Sequence, residues 1–227
     1  MLATTNARPV RAALRRSRWR STLVCMTVQL RVDPASSPQT EPRVVLNAVP
    51  WEHYEGLLRL LGNEHPSLRM TYRKGMLEIM TTSPEHERQK KMIARLIEAW
   101  ALECGVGLNG IGSATFRSRA AERGLEPDEC YVRGPVGDLP EIAIEVVHSR
   151  SALDKLDVYA GLGIREVWIW DDGRLTVHVL AGGAYELRTR SDVVPELDLE
   201  QLATFVTLGD QTAAVRAYVQ ALRGTGA

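Results

Sequence analysis

The sequence Ile142-Ala-Ile-Glu-Val-Val147 is an apolar run that a single carboxylate, Glu145, interrupts. Aliphatic, largely β-branched residues at this density are typical of a buried strand. Burying a bare carboxylate costs several kcal/mol unless it is paired, hydrogen-bonded or bound to a metal ion. Glu145 therefore indicates either a chemical role or a buried structural pair, for example with an arginine.

Two neighbouring parts of the sequence supply further charged side chains that could act together with Glu145. Glu126-Pro-Asp-Glu-Cys-Tyr131 is a proline turn that delivers Asp128 to the start of a strand, and Lys155 lies on the next predicted helix. Mg²⁺ binds proteins through one or two carboxylates and keeps several waters. Such a metal activates water and polarises a phosphoryl group, while a lysine stabilises the developing negative charge. We expect Asp128, Glu145 and Lys155 to form a metal-dependent active centre.

The rest of the pattern predicts an α/β (α+β) domain over residues 44–227, with a mixed central β-sheet flanked by helices. Helices are expected at 51–61, 83–103 and 151–162, with a closing helical region at 199–222. Strands are expected at 68–73, 76–80, 113–118, 128–133, 142–147, 165–170, 175–180 and 185–188. Lys74-Gly75 and Asp171-Asp-Gly173 are predicted hairpin turns.

The formal net charge of zero conceals a basic head and an acidic body. Residues 1–25 carry six arginines and no acidic residue, so the remaining 22 basic residues face 28 acidic ones, a formal charge of −6. Such a body is not a general nucleic-acid binder, because that binding depends on neutralising phosphates. The head is a nucleic-acid arm, a targeting segment, or an over-extended start with Met26 as the initiator. With the Pro/Ser-rich residues 33–43, it predicts a disordered head over 1–43.

Length and cysteine content predict a cytoplasmic protein with one core. The chain has 227 residues, 44% of them hydrophobic, and no stretch reaches the roughly 18 apolar residues of a membrane span. Cys25, Cys104 and Cys130 are widely spaced and form no C-x-x-C pair. This spacing argues against a zinc site or a disulfide framework.

Five short pieces of the sequence together resemble the Uma2 family of the PD-(D/E)XK nuclease superfamily. They follow the family's order and lie within about residues 45–205: Ser83-Pro84 with His86-Glu87, Glu126-Pro-Asp-Glu-Cys-Tyr131, Glu141-Ile-Ala-Ile-Glu-Val-Val147, Asp154-Lys-Leu-Asp-Val-Tyr159 and Gly163-Ile-Arg-Glu-Val-Trp-Ile169. The resemblance implies a restriction-endonuclease-like core that hydrolyses DNA phosphodiester bonds with Mg²⁺ or Mn²⁺. It also suggests a homodimer, since nucleases of this kind often pair to cut both strands.

The resemblance implies roles for individual residues. Asp128 and Glu145 correspond to metal-binding acids. The superfamily lysine normally stands two residues after the Glu, where this chain has Val147, and Lys155 on the next helix takes its place. Glu87 resembles a helix carboxylate that approaches the metal, which would make it the third metal ligand.

Two histidines complete the comparison with the family pattern. His86 precedes Glu87 and, by the same resemblance, belongs to the catalytic centre. His148 departs from the pattern, in which an aromatic residue or a serine is expected. The resemblance implies no role for it.

Other functions and structural roles remain open. The chain could be a catalytically inactive nuclease-fold module that binds nucleic acid or regulates, or a small-molecule phosphoesterase or interaction domain, because a fold does not fix function. Asp128 could be a turn acid, Lys155 a surface lysine and Glu87 a helix-dipole residue. The sequence argues against a Rossmann-type nucleotide binder, since no G-x-G-x-x-G follows a strand and no P-loop motif is present.

Overall fold

The computed structural model of this chain describes residues 28–29, 41–61, 65, 67–148, 151 and 153–225. These residues form five helices: α1 (Trp51–Leu61), α2 (Pro84–Glu103), α3 (Lys155–Leu162), α4 (Leu199–Thr204) and α5 (Gln211–Thr225). In this part of the chain, no helix is long and apolar enough to cross a membrane. Most of the predicted head lies outside the described residues.

The same residues form twelve strands. They are β1 (Val28–Gln29), β2 (Arg43–Leu46), β3 (Leu68–Arg73), β4 (Met76–Thr81), β5 (Leu108–Gly110), β6 (Phe116–Ser118), β7 (Arg123–Leu125), β8 (Glu129–Arg133), β9 (Ile142–Val147), β10 (Glu166–Asp171), β11 (Arg174–Ala181) and β12 (Ala184–Arg188).

The strands assemble into two six-stranded sheets. The first has the order β1-β2-β4-β3-β7-β6 and is antiparallel throughout. The second has the order β12-β11-β10-β9-β8-β5 and is mixed, because β9 and β10, which α3 connects, run parallel. The mixed sheet with its helices confirms the predicted α/β, restriction-endonuclease-like fold class. The first sheet extends that prediction, which included only its hairpin β3–β4 and a strand at the position of β6.

The alternation of side chains along β9 decides which residues face which helix. Ile142, Ile144 and Val146 pack into the core that α2 and α5 cover. Ala143 packs into a second core, with the side chains of α3. Successive side chains of a strand point to opposite faces, so Glu145 lies on the α3 face with Ala143.

The start of α2 follows the sequence prediction. Ser83 is the N-cap, and its side-chain oxygen accepts a hydrogen bond from the backbone N–H of His86 at 3.1 Å. Pro84 occupies the first turn, where its missing N–H costs nothing. This cap sets the position of His86, the third residue of α2.

The start of α3 differs from the prediction of a helix from residue 151. Asp154 is the N-cap and accepts a hydrogen bond from the backbone N–H of Asp157 at 3.3 Å, so the helix begins at Lys155. Gly163 ends it with a φ of 80°, a left-handed conformation that favours glycine. Lys155 is thereby placed at the N-terminus of α3 rather than within it.

Other predicted boundaries also changed. The single closing helical region is two helices, because Asp210 caps α5 by accepting from the backbone N–H of Ala213 at 2.9 Å. The strand predicted at 113–118 is shortened to β6, and β5 and β7 are short strands that the pattern did not reveal. Both predicted hairpin turns are present, with positive φ at Lys74-Gly75 and Asp172-Gly173.

Candidate active centre

Asp128 and Glu145 lie at the same level of the second sheet. Asp128 immediately precedes β8, and its backbone N–H donates to the carbonyl of Ile144 at 3.1 Å. Its Oδ2 accepts from the backbone N–H of Val146 at 2.8 Å. These two bonds flank Glu145, so Asp128 stands opposite it on the neighbouring strand. Both carboxylates are buried, with 3% and 2% exposure.

Two side chains of α3 hold the carboxylate of Glu145. Lys155 Nζ lies 2.6 Å from Oε2, and the Tyr159 hydroxyl donates to Oε1. Lys155 and Tyr159 are four residues apart, one helical turn, and therefore share a helix face. The structure thus brings Asp128, Glu145 and Lys155 together, and it adds Tyr159, which the sequence analysis did not single out.

His86 connects Asp128 to a further acid. Its Nε2 lies 2.8 Å from Oδ1 of Asp128, and its Nδ1 lies 2.9 Å from Oε1 of Glu41. Glu41 precedes β2 and is 2% exposed. The sequence predicted His86 in the centre but placed Glu41 in the flexible head, and its polar, Pro/Ser-rich surroundings carry no signal for a buried role.

The charges of these groups follow from burial and from their partners. Burial opposes the charged form of His86, but contacts with Asp128 and Glu41 outweigh it and raise its pKa to about 9. Burial likewise opposes the ionised form of Asp128, yet His86 and Lys155 hold the pKa of this carboxyl below its usual range. At neutral pH the chain therefore presents an imidazolium against an ionised Asp128.

Glu145 behaves in the opposite way to Asp128. Burial raises the pKa of Glu145 above its usual value, and the charge of Asp128 adds to this although Lys155 opposes it. Burial lowers the pKa of Lys155, but Glu145 and Asp128 outweigh burial and raise it. Two neighbouring carboxylates whose pKa values are shifted in opposite directions are typical of a functional site, where charged groups are buried close together.

Glu87 does not join this group. Its carboxylate accepts a hydrogen bond from the Thr82 hydroxyl at 2.9 Å and pairs with Lys90 at 2.7 Å and Arg69 at 3.7 Å. Neighbouring helical residues diverge by about 100°, so with His86 directed inwards Glu87 faces another direction. The assignment of Glu87 as a metal ligand stays a prediction.

Glu78 extends the centre to the first sheet. This buried residue of β4 accepts from the Ser151 hydroxyl at 2.6 Å, pairs with Arg43 at 3.8 Å, and contributes to the raised pKa of Lys155. A glutamate interrupting Met76-Leu-Glu-Ile-Met80 is the same signal that identified Glu145. The same pattern in the predicted hairpin was therefore a signal for Glu78 as well.

His148, the residue that departs from the family pattern, lies beside the centre. Its ring centroid is 5.7 Å from that of His86. It follows the end of β9 and is half-buried. The structure thus gives it a neighbour in the site.

The donor chemistry of Asp128 and Glu145 fits a hard divalent cation. Mg²⁺ takes one or two carboxylates and completes its shell with water. Each carboxylate oxygen has a second lone pair beyond the one that its protein contact uses. Among the described residues, no group of three or more His, Cys, Asp or Glu side chains is arranged to hold a metal. The predicted set of three carboxylates, with Glu87, is thus not brought together there.

Comparison with known proteins identifies the family of this chain. The profile of the Uma2 family, whose description is “Putative restriction endonuclease”, matches residues 51–209, a range that includes α2, β8, β9 and α3. No curated protein matches the chain. The family match supports a nuclease function in general and confirms the resemblance found in the sequence. Since the match covers well over half of the sequence, the chain belongs to the Uma2 family.

Proposed function

We propose that this protein is a metal-dependent endonuclease that hydrolyses DNA phosphodiester bonds with water as the nucleophile. One observation carries the proposal: two buried carboxylates, Asp128 and Glu145, stand opposite each other with the ammonium group of Lys155 on one of them. Membership of a family described as restriction endonucleases supports the same chemistry. DNA is the substrate that this family description favours.

Asp128 and Glu145 are the residues that would hold Mg²⁺ or Mn²⁺. When bound, the cation supplies an activated water and neutralises negative charge on the phosphate. An ammonium group has three N–H donors, so Lys155 can donate to Glu145 and also to a phosphate oxygen or to the attacking water. Its side chain is 25% exposed, so part of it borders the solvent. Lys155 would then stabilise the charge that develops in the transition state.

One observation favours a second candidate, a nuclease-fold module without turnover that binds nucleic acid or regulates. Every carboxylate oxygen of Asp128 and Glu145 already contacts a protein group: His86, Val146, Lys155 or Tyr159. A cation would have to share these oxygens. The formal charge of −6 outside the basic head weakens attraction to DNA for both candidates and does not separate them.

A cleavage assay separates the two candidates. Supercoiled plasmid and single-stranded DNA are incubated with the protein and Mg²⁺, Mn²⁺ or EDTA. The wild type is compared with Glu145→Gln and Asp128→Asn, which keep side-chain volume, and with the control Glu200→Gln, an exposed residue of α4. We expect metal-dependent nicking that both site variants lose, by at least about a hundredfold, and that the control retains.

Other outcomes would assign the protein differently. Wild-type nicking by either site variant would show that the active centre lies elsewhere. No cleavage by folded wild type, with retained DNA binding, would favour the module without turnover. We also propose a homodimer, because two centres in one assembly can cut both strands together; light scattering of the purified chain tests this separately.

A further inference from the structure

A continuous chain of buried contacts leads from Glu41 through His86 to Asp128. The two distances, 2.9 Å and 2.8 Å, join one ring nitrogen of His86 to each carboxylate. All three side chains are almost completely buried. Glu41 lies outside residues 51–209, the range that the Uma2 profile matches, so the family resemblance assigns it no role.

The contacts from Glu41 through His86 to Asp128 favour one protonation state of the His86 ring. A neutral imidazole has one N–H donor and one lone pair, whereas the imidazolium has two donors. Each ring nitrogen here faces a carboxylate oxygen, and a lone pair in either position would meet another lone pair. The arrangement therefore suits an imidazolium between two carboxylates. Each carboxylate holds the His86 ring in the orientation that places its other nitrogen against the second carboxylate.

The same contacts restrict the carboxylate of Asp128. Its Oδ1 faces His86, its Oδ2 accepts from the backbone of Val146, and its own N–H is bonded to Ile144. The backbone contacts come from β9, so His86 contacts this carboxylate from outside the sheet and restricts its rotation. A metal-ligating carboxylate is oriented by such outer partners.

Glu41 is itself tied to the start of α2. Its Oε1 accepts from the backbone N–H of Ser83 at 3.3 Å, and the Ser83 side chain caps the N–H of His86. Glu41 therefore holds both the ring of His86 and the helix turn that presents it. Since both ring nitrogens face carboxylates, His86 could bind a metal directly only by giving up one of these contacts.

We infer that Glu41 and His86 are positioning residues: Glu41 holds the His86 imidazolium, and His86 fixes the carboxylate of Asp128 in the orientation that receives a divalent cation. The metal part of this inference rests on the proposed function. The positioning part does not, because it concerns contacts within the protein alone.

The test uses Glu41→Gln in the full chain, with Glu166→Gln as a matched control. Glu166 is equally buried, on β10, where its carboxylate accepts from Trp168, Ser191 and the backbone of Val193. It pairs with Ile142, at the opposite end of β9 from the site. Both variants replace a buried carboxylate. A loss that appears only in Glu41→Gln therefore reflects positioning and not a general loss of stability.

Two readouts are taken at a temperature where each variant is folded. The first is Mn²⁺ affinity by calorimetric titration, which we expect Glu41→Gln to weaken about ten- to hundredfold and Glu166→Gln to leave unchanged. The second needs no metal: hydrogen exchange of the Val146 amide, which donates to Asp128, should become about tenfold faster in Glu41→Gln only. Glu41→Asp, which restores the charge on a shorter side chain, should recover part of both losses.

The outcomes distinguish this inference from the proposed function. If the wild type binds no Mn²⁺, the metal-dependent mechanism fails, while the Val146 amide still tests positioning. If Glu41→Gln exchanges this amide at the wild-type rate, the inference is wrong even when metal binds. Should Glu41→Gln fail to fold, Glu41→Asp carries the same two measurements, and wild-type values for both would overturn the inference.

Discussion

Lys155 Nζ lies 2.6 Å from Oε2 of Glu145, which joins the first residue of α3 to the middle of the mixed sheet. This contact makes the burial of Glu145 tolerable, because an unpaired buried carboxylate is strongly destabilising. The hydroxyl of Tyr159 holds the other oxygen. The carboxylate is thus fixed from one helix, and the stability of the fold and the proposed chemistry involve the same ion pair.

Replacing Lys155 by Met should lower both stability and activity. The variant leaves Glu145 buried beside Asp128 without its cation, and we expect the free energy of unfolding to fall by about 2 kcal/mol. DNA cleavage should fall by about a hundredfold, because charge stabilisation at the phosphate is lost. Urea unfolding and the plasmid assay measure these effects. Lys91→Met, at an exposed position of α2, is the control, and equal losses in both variants would contradict this reading.

The stability of the protein should decrease as the pH rises from neutral to alkaline. The pKa of His86 is about 9 in the folded chain against an ordinary 6.5. Its stabilising contribution is therefore fully present below pH 6.5 and is lost as the pH rises through 9, a change of the order of 3 kcal/mol.

The pH dependence is measured by urea unfolding between pH 6.5 and 10. His86→Gln should remove this part of the slope, whereas His53→Gln, at an exposed position of α1, should keep it. A wild-type slope that His86→Gln leaves intact would show that another group titrates in this range.

Glu87→Gln decides whether the sequence-based assignment of a third metal ligand holds. Its contacts with Thr82, Lys90 and Arg69 lead us to expect only a small change in Mn²⁺ affinity, within about threefold, as for other partly exposed ion pairs. Calorimetric titration beside Glu145→Gln provides the comparison. A loss as large as that of Glu145→Gln would establish Glu87 as a ligand.

The packing of α1 against the first sheet predicts a sharp difference between two glycines. A Cβ at Gly124 would overlap the buried ring and hydroxyl of Tyr54, which stacks on Tyr72 at 4.8 Å. A Cβ at Gly107 would meet no atom within 4 Å. Gly124→Ala should lower the free energy of unfolding by about 2 kcal/mol, and Gly107→Ala should change it little. Thermal unfolding of the pair measures this, and similar melting temperatures would contradict the described packing.

Much of the fold could be predicted from local patterns. The predicted hairpin at Lys74-Gly75 is present, with positive φ at both residues, and α2 begins with the predicted Ser83 cap. The apolar run with Glu145 became a buried strand. These features depend on neighbours in the sequence, such as turn conformation, capping and strand propensity, so a single chain is sufficient to reveal them.

The sequence by itself indicated that Asp128, Glu145 and Lys155 lie near each other. Asp128 stands at the start of one predicted strand, Glu145 on the next strand and Lys155 on the helix that follows. Only the tertiary structure decided that Glu41 and Glu78, from distant segments, complete the surroundings of the centre, and that Glu87 faces other partners. The reason is physical. Local patterns fix the face of a strand or helix that a side chain occupies, whereas long-range contacts depend on how sheets and helices pack. That packing alone places Glu41 against His86.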